Sequence, residues 1–507
     1  MLRRKIMYIF LFLIIMMIFG LQVFAEDSKQ ELVAAFGQDI VTFDMHNYRG
    51  SQDIIAGNLV YETLVSTDKE DNTIPKLAAS WEQIDSLTWK FYLRDDVKFH
   101  DGTPFNADVV KFSIKRCAEG GGGSYAGFVK EVEIVDDYTV LLHLNNEFGN
   151  VLGNLSEPIV GMMNPKFVEE KGADITQFAN GTGPFILEEY IPGTGAVFVK
   201  NEEYWGEPAK LDKVEFRTIP EEGTRIMALR SGEVDIIENP PPHELASIEK
   251  DKNLYVYVSP KNRTLFVSFN FEDENVGGEE NRALREAIAY AINPQEIVDY
   301  VLEGLALPLD KGFIPESISR GANDLSLVRK PDLEKAKQIL KEAGIEPGRK
   351  VEFWVTRGRY LLDTATGEVI QEQLSKAGID AEVVVMEMGP MINAMSKHEQ
   401  EMYQIAWGWA TGDAHQVFHQ LFNSESRWNL SAYKNEKFDQ INEKASITVD
   451  WNERMALYNS AYKILFDDVV LVPILQYKNI YAANKKVKGF FANPIELALF
   501  NEVYIEE

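Results

Sequence analysis

A short segment rich in tryptophan and glycine has the composition of a ligand-binding wall. Residues 405–415 include Trp407, Trp409 and Asp413. Tryptophan offers a large apolar surface with one donor nitrogen, and glycine lets another backbone approach closely. The Asp413 carboxylate could receive a cationic group such as an amino terminus. We therefore expect the chain to turn here from a buried strand toward a ligand. The alternative is that both tryptophans are core residues and Asp413 is a turn residue.

Two histidines follow Asp413 closely and suggest a different ligand, a metal or a metal chelate. His415 and His419 have the i, i+4 spacing that puts two imidazoles on one face of a helix, where they could meet a transition metal or a metal chelate. Surface imidazoles near a loop more often lack such a role. We expect no metal and no cofactor, and keep this pair as the alternative.

The chain contains the beginnings of enzyme motifs, but none of them is complete. His243-Glu244 and His398-Glu399 begin the HExxH zinc motif, but positions 247 and 402 are Ser and Met. The chain has no Gly-Lys dipeptide, which excludes a Walker A loop. We therefore predict no catalytic residue and no enzyme activity. A secreted hydrolase of a new type is the alternative from another functional class.

The composition and net charge of the chain exclude several kinds of binding partner. The chain has 507 residues and a formal net charge of −28, so it exceeds one ordinary core and should repel nucleic acid and anionic lipid. Cys117 is the only cysteine, which excludes an internal disulfide and a multi-cysteine metal site. A large folded protein with two or three lobes is expected.

The amino terminus has the pattern of a signal peptide. Arg3, Arg4 and Lys5 precede an apolar run over residues 6–21, and Val23-Phe24-Ala25 provides a cleavage site before Glu26. An uncleaved membrane anchor is the alternative, because the run is nearly long enough to span a bilayer. No cysteine stands at the cleavage site, so we expect a periplasmic or otherwise extracytoplasmic protein that is not a lipoprotein.

Several elements can be placed from pattern alone. Residues 89–94 alternate like a half-exposed strand, residues 100–102 form a tight turn, and Asn106 or Asp108 caps the helix that follows. Farther on, strand-like and helical segments alternate from Val351 onward. This alternation predicts an α/β protein with a mixed, mostly parallel sheet.

Six segments, spread in order along nearly the whole chain, carry a resemblance to one family. They are residues 97–110, 181–185, 201–206, 225–235, 284–293 and 332–344. Together they resemble the family 5 extracellular solute-binding proteins, which deliver peptides, glutathione, nickel chelates and some oligosaccharides to ABC importers.

The resemblance implies a two-lobed periplasmic-binding-protein clamp. Residues 1–25 would be the signal peptide, and residues 269–475 would be lobe II. Lobe I would be discontinuous, with a subdomain inserted at residues 68–179; its segments would be 26–67, 180–268 and 476–507. The two crossings between the lobes would lie near residues 268–270 and 474–476. Such a protein captures its solute by lobe closure and presents it to the permease subunits of an ABC transporter, and we expect a monomer.

The resemblance is strongest to the branch of glutathione-binding and short-peptide-binding proteins. Asp413 could take the α-amino group of a peptide, and Arg357 or Arg359 could take a carboxylate. Other candidate ligand contacts are Tyr360, Trp407, Trp409, Trp428, Tyr48, Tyr125 and Asn262. This branch often has an acidic residue where this chain has His415, so a strict preference for glutathione is not implied. A nickel chelate or an oligosaccharide is the alternative ligand within the family.

Overall fold

The computed structural model describes residues 29–48, 50–68, 72–495 and 498–506. The predicted signal segment and the predicted mature start at Glu26 lie outside the described residues. Within the described ranges, no helix is both long enough and apolar enough to cross a membrane.

Strands and helices are spread along the whole described chain. The strands are β1 (Glu31–Phe36), β2 (Val65–Thr67), β3 (Thr73–Pro75), β4 (Ala78–Asp85), β5 (Thr88–Leu93), β6 (Val129–Asp136), β7 (Thr139–Leu144), β8 (Phe185–Ile191), β9 (Gly195–Lys200), β10 (Lys213–Thr218), β11 (Ile236–Glu238), β12 (Leu254–Phe269), β13 (Ala306–Pro308), β14 (Arg349–Thr356), β15 (Ile379–Met386), β16 (Met402–Gly408), β17 (Leu471–Asn484), β18 (Val487–Lys488), β19 (Phe491–Ala492), β20 (Ala498–Leu499) and β21 (Tyr504–Ile505). The α-helices are α1 (Ser51–Val60), α2 (Ala107–Glu119), α3 (Gly123–Ala126), α4 (Val151–Leu155), α5 (Pro165–Lys171), α6 (Glu222–Ser231), α7 (Pro242–Lys250), α8 (Arg282–Ala291), α9 (Pro294–Tyr300), α10 (Glu316–Ser319), α11 (Leu333–Glu342), α12 (Asp363–Ala377), α13 (Met388–Met395), α14 (His415–Phe422), α15 (Glu436–Ile447) and α16 (Trp451–Asp467).

One large sheet runs through the molecule. Its strand order is β15-β14-β16-β12-β17-β11-β1-β10-β9-β8, with β13 also paired to β17. Four of its strand pairs are parallel and six are antiparallel. The α/β class and the mixed sheet are as predicted, but the expectation of a mostly parallel sheet is wrong. The reason is that β12 and β17 are antiparallel to each other and to their neighbours.

The two longest strands join the halves of this sheet. β12 has 16 residues and β17 has 14, and they pair along almost their whole length. The ladder is irregular between Pro260 and Thr264, at the middle of β12. We call the part with β1 and β8–β11 the first lobe and the part with β14–β16 the second lobe. The irregularity separates the part of β12 that pairs with β17 alone from the part, Arg263 to Phe269, that also pairs with β16.

Each half of the sheet has apolar side chains on both faces. In β1, Leu32, Ala34 and Phe36 pack into one buried cluster, while Ala35 packs into another on the opposite face. In β12 the same alternation sends residues 265, 267 and 269 to one cluster and residue 266 to another. Successive side chains of a strand point to opposite faces, so helices cover both sides of each half.

A smaller unit, which we call the insert, has its own sheet and core. Its strands have the order β4-β5-β7-β6, and α2 contributes to the cluster that covers them. The Asn106 side chain accepts a hydrogen bond from the Val109 backbone N–H at 3.3 Å and so caps α2. Gly102 has a φ of 81° within the turn before it. The cap and the turn therefore confirm the local predictions, while the lobe limits drawn from sequence stay a prediction.

Candidate ligand-binding cleft

The tryptophans of the predicted wall have different environments. Trp409 is fully buried, and its Nε1 donates to Thr264 Oγ1 at 2.9 Å, with its ring edge-on to Phe313. It is therefore a core residue, which corrects its assignment as a wall. Trp407 and Trp428 are half-buried and meet edge to face, with ring centroids 6.0 Å apart. These two keep the exposure that a ligand contact needs.

Asp413 is buried beneath the cleft and already has several partners. Its exposure is 4%, and Arg454 Nε lies 2.8 Å from Oδ2. Oδ1 accepts from the Tyr458 hydroxyl and from the His415 backbone N–H, each at 2.8 Å. The carboxylate thus joins the start of α14 to α16. A ligand amino group would have to displace a donor, so the structure gives Asp413 a supporting task in place of the direct contact expected from sequence.

Tyr360 and the predicted arginines lie where β14 and β16 end. These strands are parallel, so their carboxyl ends share one edge. The Tyr360 hydroxyl donates to the Ala406 carbonyl at 2.9 Å, and its ring stacks on Tyr477. Burial raises the pKa of Tyr360, although Arg263 and Arg359 act against the rise. Arg359 is exposed, with its guanidinium carbon 5.7 Å from the Tyr360 ring centroid.

One carboxylate builds the turn that carries these side chains. Asp363 accepts hydrogen bonds from the backbone N–H groups of Gly358, Arg359 and Tyr360 at 2.9–3.2 Å. It also accepts from the Thr356 hydroxyl at the end of β14. Local bonds of this kind hold a loop in one conformation. The exposed arginine side chains are therefore presented from an ordered backbone.

The insert forms the opposite side of the cleft through the loop after β7. The Gly149 backbone N–H donates to the Ser446 carbonyl at 2.6 Å, and the Arg454 guanidinium donates to the Gly149 carbonyl at 3.1 Å. Asn150 Nδ2 donates to the Thr411 carbonyl at 3.3 Å. These bonds connect the insert to the second lobe.

Two adjacent cavities lie along this contact, and Asn150 and Thr411 line both. The first, the Glu157 cavity, has a volume of about 290 Å³. Its wall includes Trp89, Glu157, Arg320, Gly412, Trp451 and Arg454. The second, the His415 cavity, has a volume of about 440 Å³. Its wall includes Phe148, His415, Gln416, His419 and Glu443.

Tyr48 and Tyr125, both predicted contacts, meet beside the cavities. Their side chains are close enough to interact electrostatically, and Gln416 Nε2 donates to the Tyr125 hydroxyl at 3.4 Å. Burial raises the pKa of both tyrosines, and the negative charge of Glu157 raises each further. The structure thus brings together two residues that are far apart in sequence.

Glu157 is the residue that sequence reasoning missed. It is 8% exposed, and burial holds the pKa of its carboxyl well above the usual range. A signal was present, because Glu157 is the only charged residue between Phe148 and Pro165. A lone charge in an apolar stretch is costly to bury without a reason. The sequence alone did not show that this stretch faces a cleft.

His415 and His419 lie side by side in the second cavity. Their ring centroids are 5.2 Å apart, and His415 also meets the Phe148 ring edge-on. Burial lowers the pKa of His415 to about 4, so its imidazole is neutral at physiological pH. Among the described residues, no group of three or more metal-ligating side chains is found. A metal site at this pair therefore stays the alternative drawn from sequence.

Asn262 lies at the irregularity of β12 and is 3% exposed. Its carbonyl accepts from the Trp409 backbone N–H at 2.8 Å, and its Oδ1 accepts from the Ser317 hydroxyl at 2.5 Å. These bonds hold the crossing strand against the second lobe. The structure therefore gives Asn262 a structural task in place of the ligand contact expected from sequence.

Comparisons with known proteins show a family that matches most of this chain. The family model described as bacterial extracellular solute-binding proteins, family 5 Middle, matches residues 72–429. The glutathione-binding protein GsiB of Escherichia coli O1:K1 / APEC is 29% identical over an alignment of 487 positions that covers 92% of this chain and 93% of the relative.

Solved structures of other proteins show that the fold of this chain is similar to theirs as well. HbpA2 from Haemophilus parasuis superimposes with a TM-score of 0.84 at 26% identity, covering 94% of this chain and 100% of that one. The ABC transporter-associated periplasmic binding protein DppA from Helicobacter pylori, in complex with the peptide STSA, gives a TM-score of 0.77 at 28% identity. That match covers 95% of this chain and 99% of the other.

Proposed function

The chain belongs to the family 5 bacterial extracellular solute-binding proteins, and from this membership we propose that it captures a short peptide or a glutathione-like molecule for an ABC transporter. Relatives named for glutathione binding and for association with an ABC transporter support this choice. The protein would bind its solute and release it unchanged. It would work outside the cytoplasm as a monomer, exported by a cleaved signal peptide and without a lipid anchor.

The observation that supports the proposal is that the walls of the Glu157 cavity come from two parts of the molecule, the insert and the second lobe. The Glu157 cavity combines the insert, through Asn150 and Glu157, with the second lobe, through Thr411 and Arg454. A solute held there would touch both parts at once. It would therefore favour the closed arrangement over an open one, because a ligand shifts an equilibrium only through contacts that differ between the two states.

Residues of the second lobe would complete the site. Arg359, with Arg357 beside it, would receive a carboxylate of the ligand, because arginine binds carboxylates through two parallel hydrogen bonds. Tyr360, Trp407 and Trp428 would supply apolar contact area. Peptide side chains would then meet aromatic surfaces, which adapt to many shapes.

Native mass spectrometry of protein purified without refolding tests the proposal. Spectra before and after mild denaturation would reveal a released mass matching a di- to pentapeptide or glutathione. A thermal-shift screen with a synthetic library of such peptides and with glutathione provides the second measurement. If the cavity is empty and no library member raises the melting temperature, the peptide proposal is wrong; a released nickel complex or sugar would replace it with the corresponding alternative.

A further inference from the structure

Glu157 lies at the base of the insert wall, between α4 and the next turn of the chain. It follows the buried Leu155 and precedes Ile159 and Val160, which are buried in the core of the insert. It also lines the Glu157 cavity opposite the 410–412 segment of the second lobe. The carboxyl group is thus held by buried apolar neighbours and lines the cavity between the insert and the second lobe.

This carboxyl has no partner among the described residues. No described side chain lies within ion-pair or hydrogen-bond distance of it, and burial alone accounts for its raised pKa. The two cationic side chains that line the same cavity have contacts with other residues. Arg454 pairs with Asp413, and the Arg320 guanidinium carbon lies 5.4 Å from the Trp451 ring centroid.

Tyr48 and Tyr125 are close enough to feel the charge of Glu157, and the rings of Trp89 and Trp451 line the same cavity. A carboxylate beside aromatic rings is an environment that suits an organic cation, since the rings add cation–π attraction to the ion pair. A buried acid without a counter-charge is unfavourable. An incoming cation would remove that cost and gain a charge-assisted hydrogen bond.

We propose that Glu157 receives a primary ammonium group of the captured ligand. The assignment rests on the proposed capture of a peptide-like solute and names the residue that selects its cationic end. It replaces Asp413, whose carboxylate is already bound, as the anion of the site. On binding, the carboxyl releases its proton to solvent and the ligand keeps its ammonium proton, so one salt bridge forms and no covalent bond changes.

The first test compares free and blocked amines. Wild-type protein is exposed to the library of di- to pentapeptides and glutathione, and then to the same library acetylated at the amino terminus, with complexes read by native mass spectrometry. The variants are Glu157→Gln and the matched control Glu169→Gln, an exposed residue of α5. Dissociation constants for the most abundant bound member are measured by calorimetry.

The Glu157→Gln substitution and acetylation of the peptide are expected to weaken binding by similar factors. Glu157→Gln should raise the dissociation constant for the free peptide roughly ten- to hundredfold, the range of a charge-assisted hydrogen bond. Acetylation should cost the wild type a similar factor and cost Glu157→Gln little. Glu169→Gln should bind like the wild type. If acetylated members with lysine bind well while those without lysine do not, the ammonium comes from a side chain, which also supports the proposal.

Two results would overturn it in different ways. If the wild type binds free peptide and Glu157→Gln binds it equally well, the ammonium contact is wrong and peptide capture stands. If the wild type binds no library member, both proposals fail together.

A second measurement needs no variant. Calorimetry of wild-type binding at pH 5 to 6, in buffers of different ionisation enthalpy, should show a net release of protons when peptide binds. Burial raises the pKa of the neighbouring Tyr48 and Tyr125 above the usual tyrosine value, so neither loses a proton in this range. Heat that is independent of the buffer would contradict the proposal.

Discussion

Gly149 of the insert donates its backbone N–H to the Ser446 carbonyl of the second lobe at 2.6 Å. The approach is so close that a Cβ on Gly149 would lie 2.2 Å from the Thr448 carbonyl oxygen. Only glycine fits, because the obstacle is backbone that cannot move aside. The contact between insert and second lobe therefore depends on this one residue lacking a side chain.

Gly149→Ala should weaken ligand binding by opposing closure. We expect the dissociation constant to rise roughly tenfold, since a lost closed-state contact of about 1.4 kcal/mol has that effect. Gly223→Ala is the matched control, because a Cβ there meets nothing within 4 Å. Calorimetry gives the affinity, and small-angle scattering with ligand should show a larger radius of gyration for Gly149→Ala. Equal affinity and equal radius would show that the contact is unimportant for closure.

Asp413→Asn should act mainly on stability. Removing one partner of a buried ion pair typically costs about 3–5 kcal/mol, and the Asp413 and Arg454 side chains are 4% and 8% exposed. Urea unfolding measures the loss, with the exposed Asp380→Asn as control. If binding is abolished while the unfolding free energy is unchanged, Asp413 contacts the ligand directly, as its sequence context suggested.

Ligand-free Glu157→Gln should be more stable than the wild type at neutral pH. Burial raises the pKa of Glu157 in the folded protein above its unfolded value near 4.5. The folded state therefore favours the protonated acid, and the wild type loses stability as pH rises above 4.5. The melting temperatures should coincide near pH 4 and separate toward pH 7, with the variant higher. A constant difference across that range would contradict the assignment.

His415→Gln should reduce the acid sensitivity of the protein. Burial lowers the pKa of His415 from 6.5 to about 4, so unfolding takes up a proton as pH falls through this window. The neighbouring charges of Asp413 and Arg454 have opposite effects on this pKa. Between pH 7 and pH 5 the wild type should lose about 2 kcal/mol through this group. Unfolding at both pH values should show a smaller loss for His415→Gln, whereas the exposed His243→Gln should match the wild type.

Arg359→Ala should weaken binding of peptides that have a free carboxyl terminus. A charge-assisted contact to an exposed guanidinium predicts a roughly tenfold rise in the dissociation constant. Amidated peptides should bind the variant and the wild type alike. Arg357→Ala tests the neighbouring side chain, and a larger effect there would exchange the two roles.

Local features followed from the sequence because their partners are close along the chain. Asn106 caps α2 through a backbone group three residues away. The turn at Gly102 needs only its own neighbours. Such bonds form whatever the distant fold, so residue types and spacing are enough to predict them.

The pocket wall was harder to predict because its partners are distant. Trp409 is buried by Thr264 and Phe313, more than ninety residues earlier in the chain. Nothing in a Trp-Gly-Trp segment distinguishes a tryptophan that faces the core from one that faces a cleft. The alternation of β16 and its pairing with β12 decide that orientation.

The amino-acid sequence by itself determined the α/β class, the family and the candidate ligand, because ordered motifs and local patterns record them. Only the tertiary structure decided which carboxylate is available to bind an amino group of the ligand. Arg454 forms an ion pair with Asp413, while Glu157 is buried without a counter-charge. The physical reason is that the charge state and reach of a buried acid depend on which side chains the fold places beside it, and those are distant from it in the sequence.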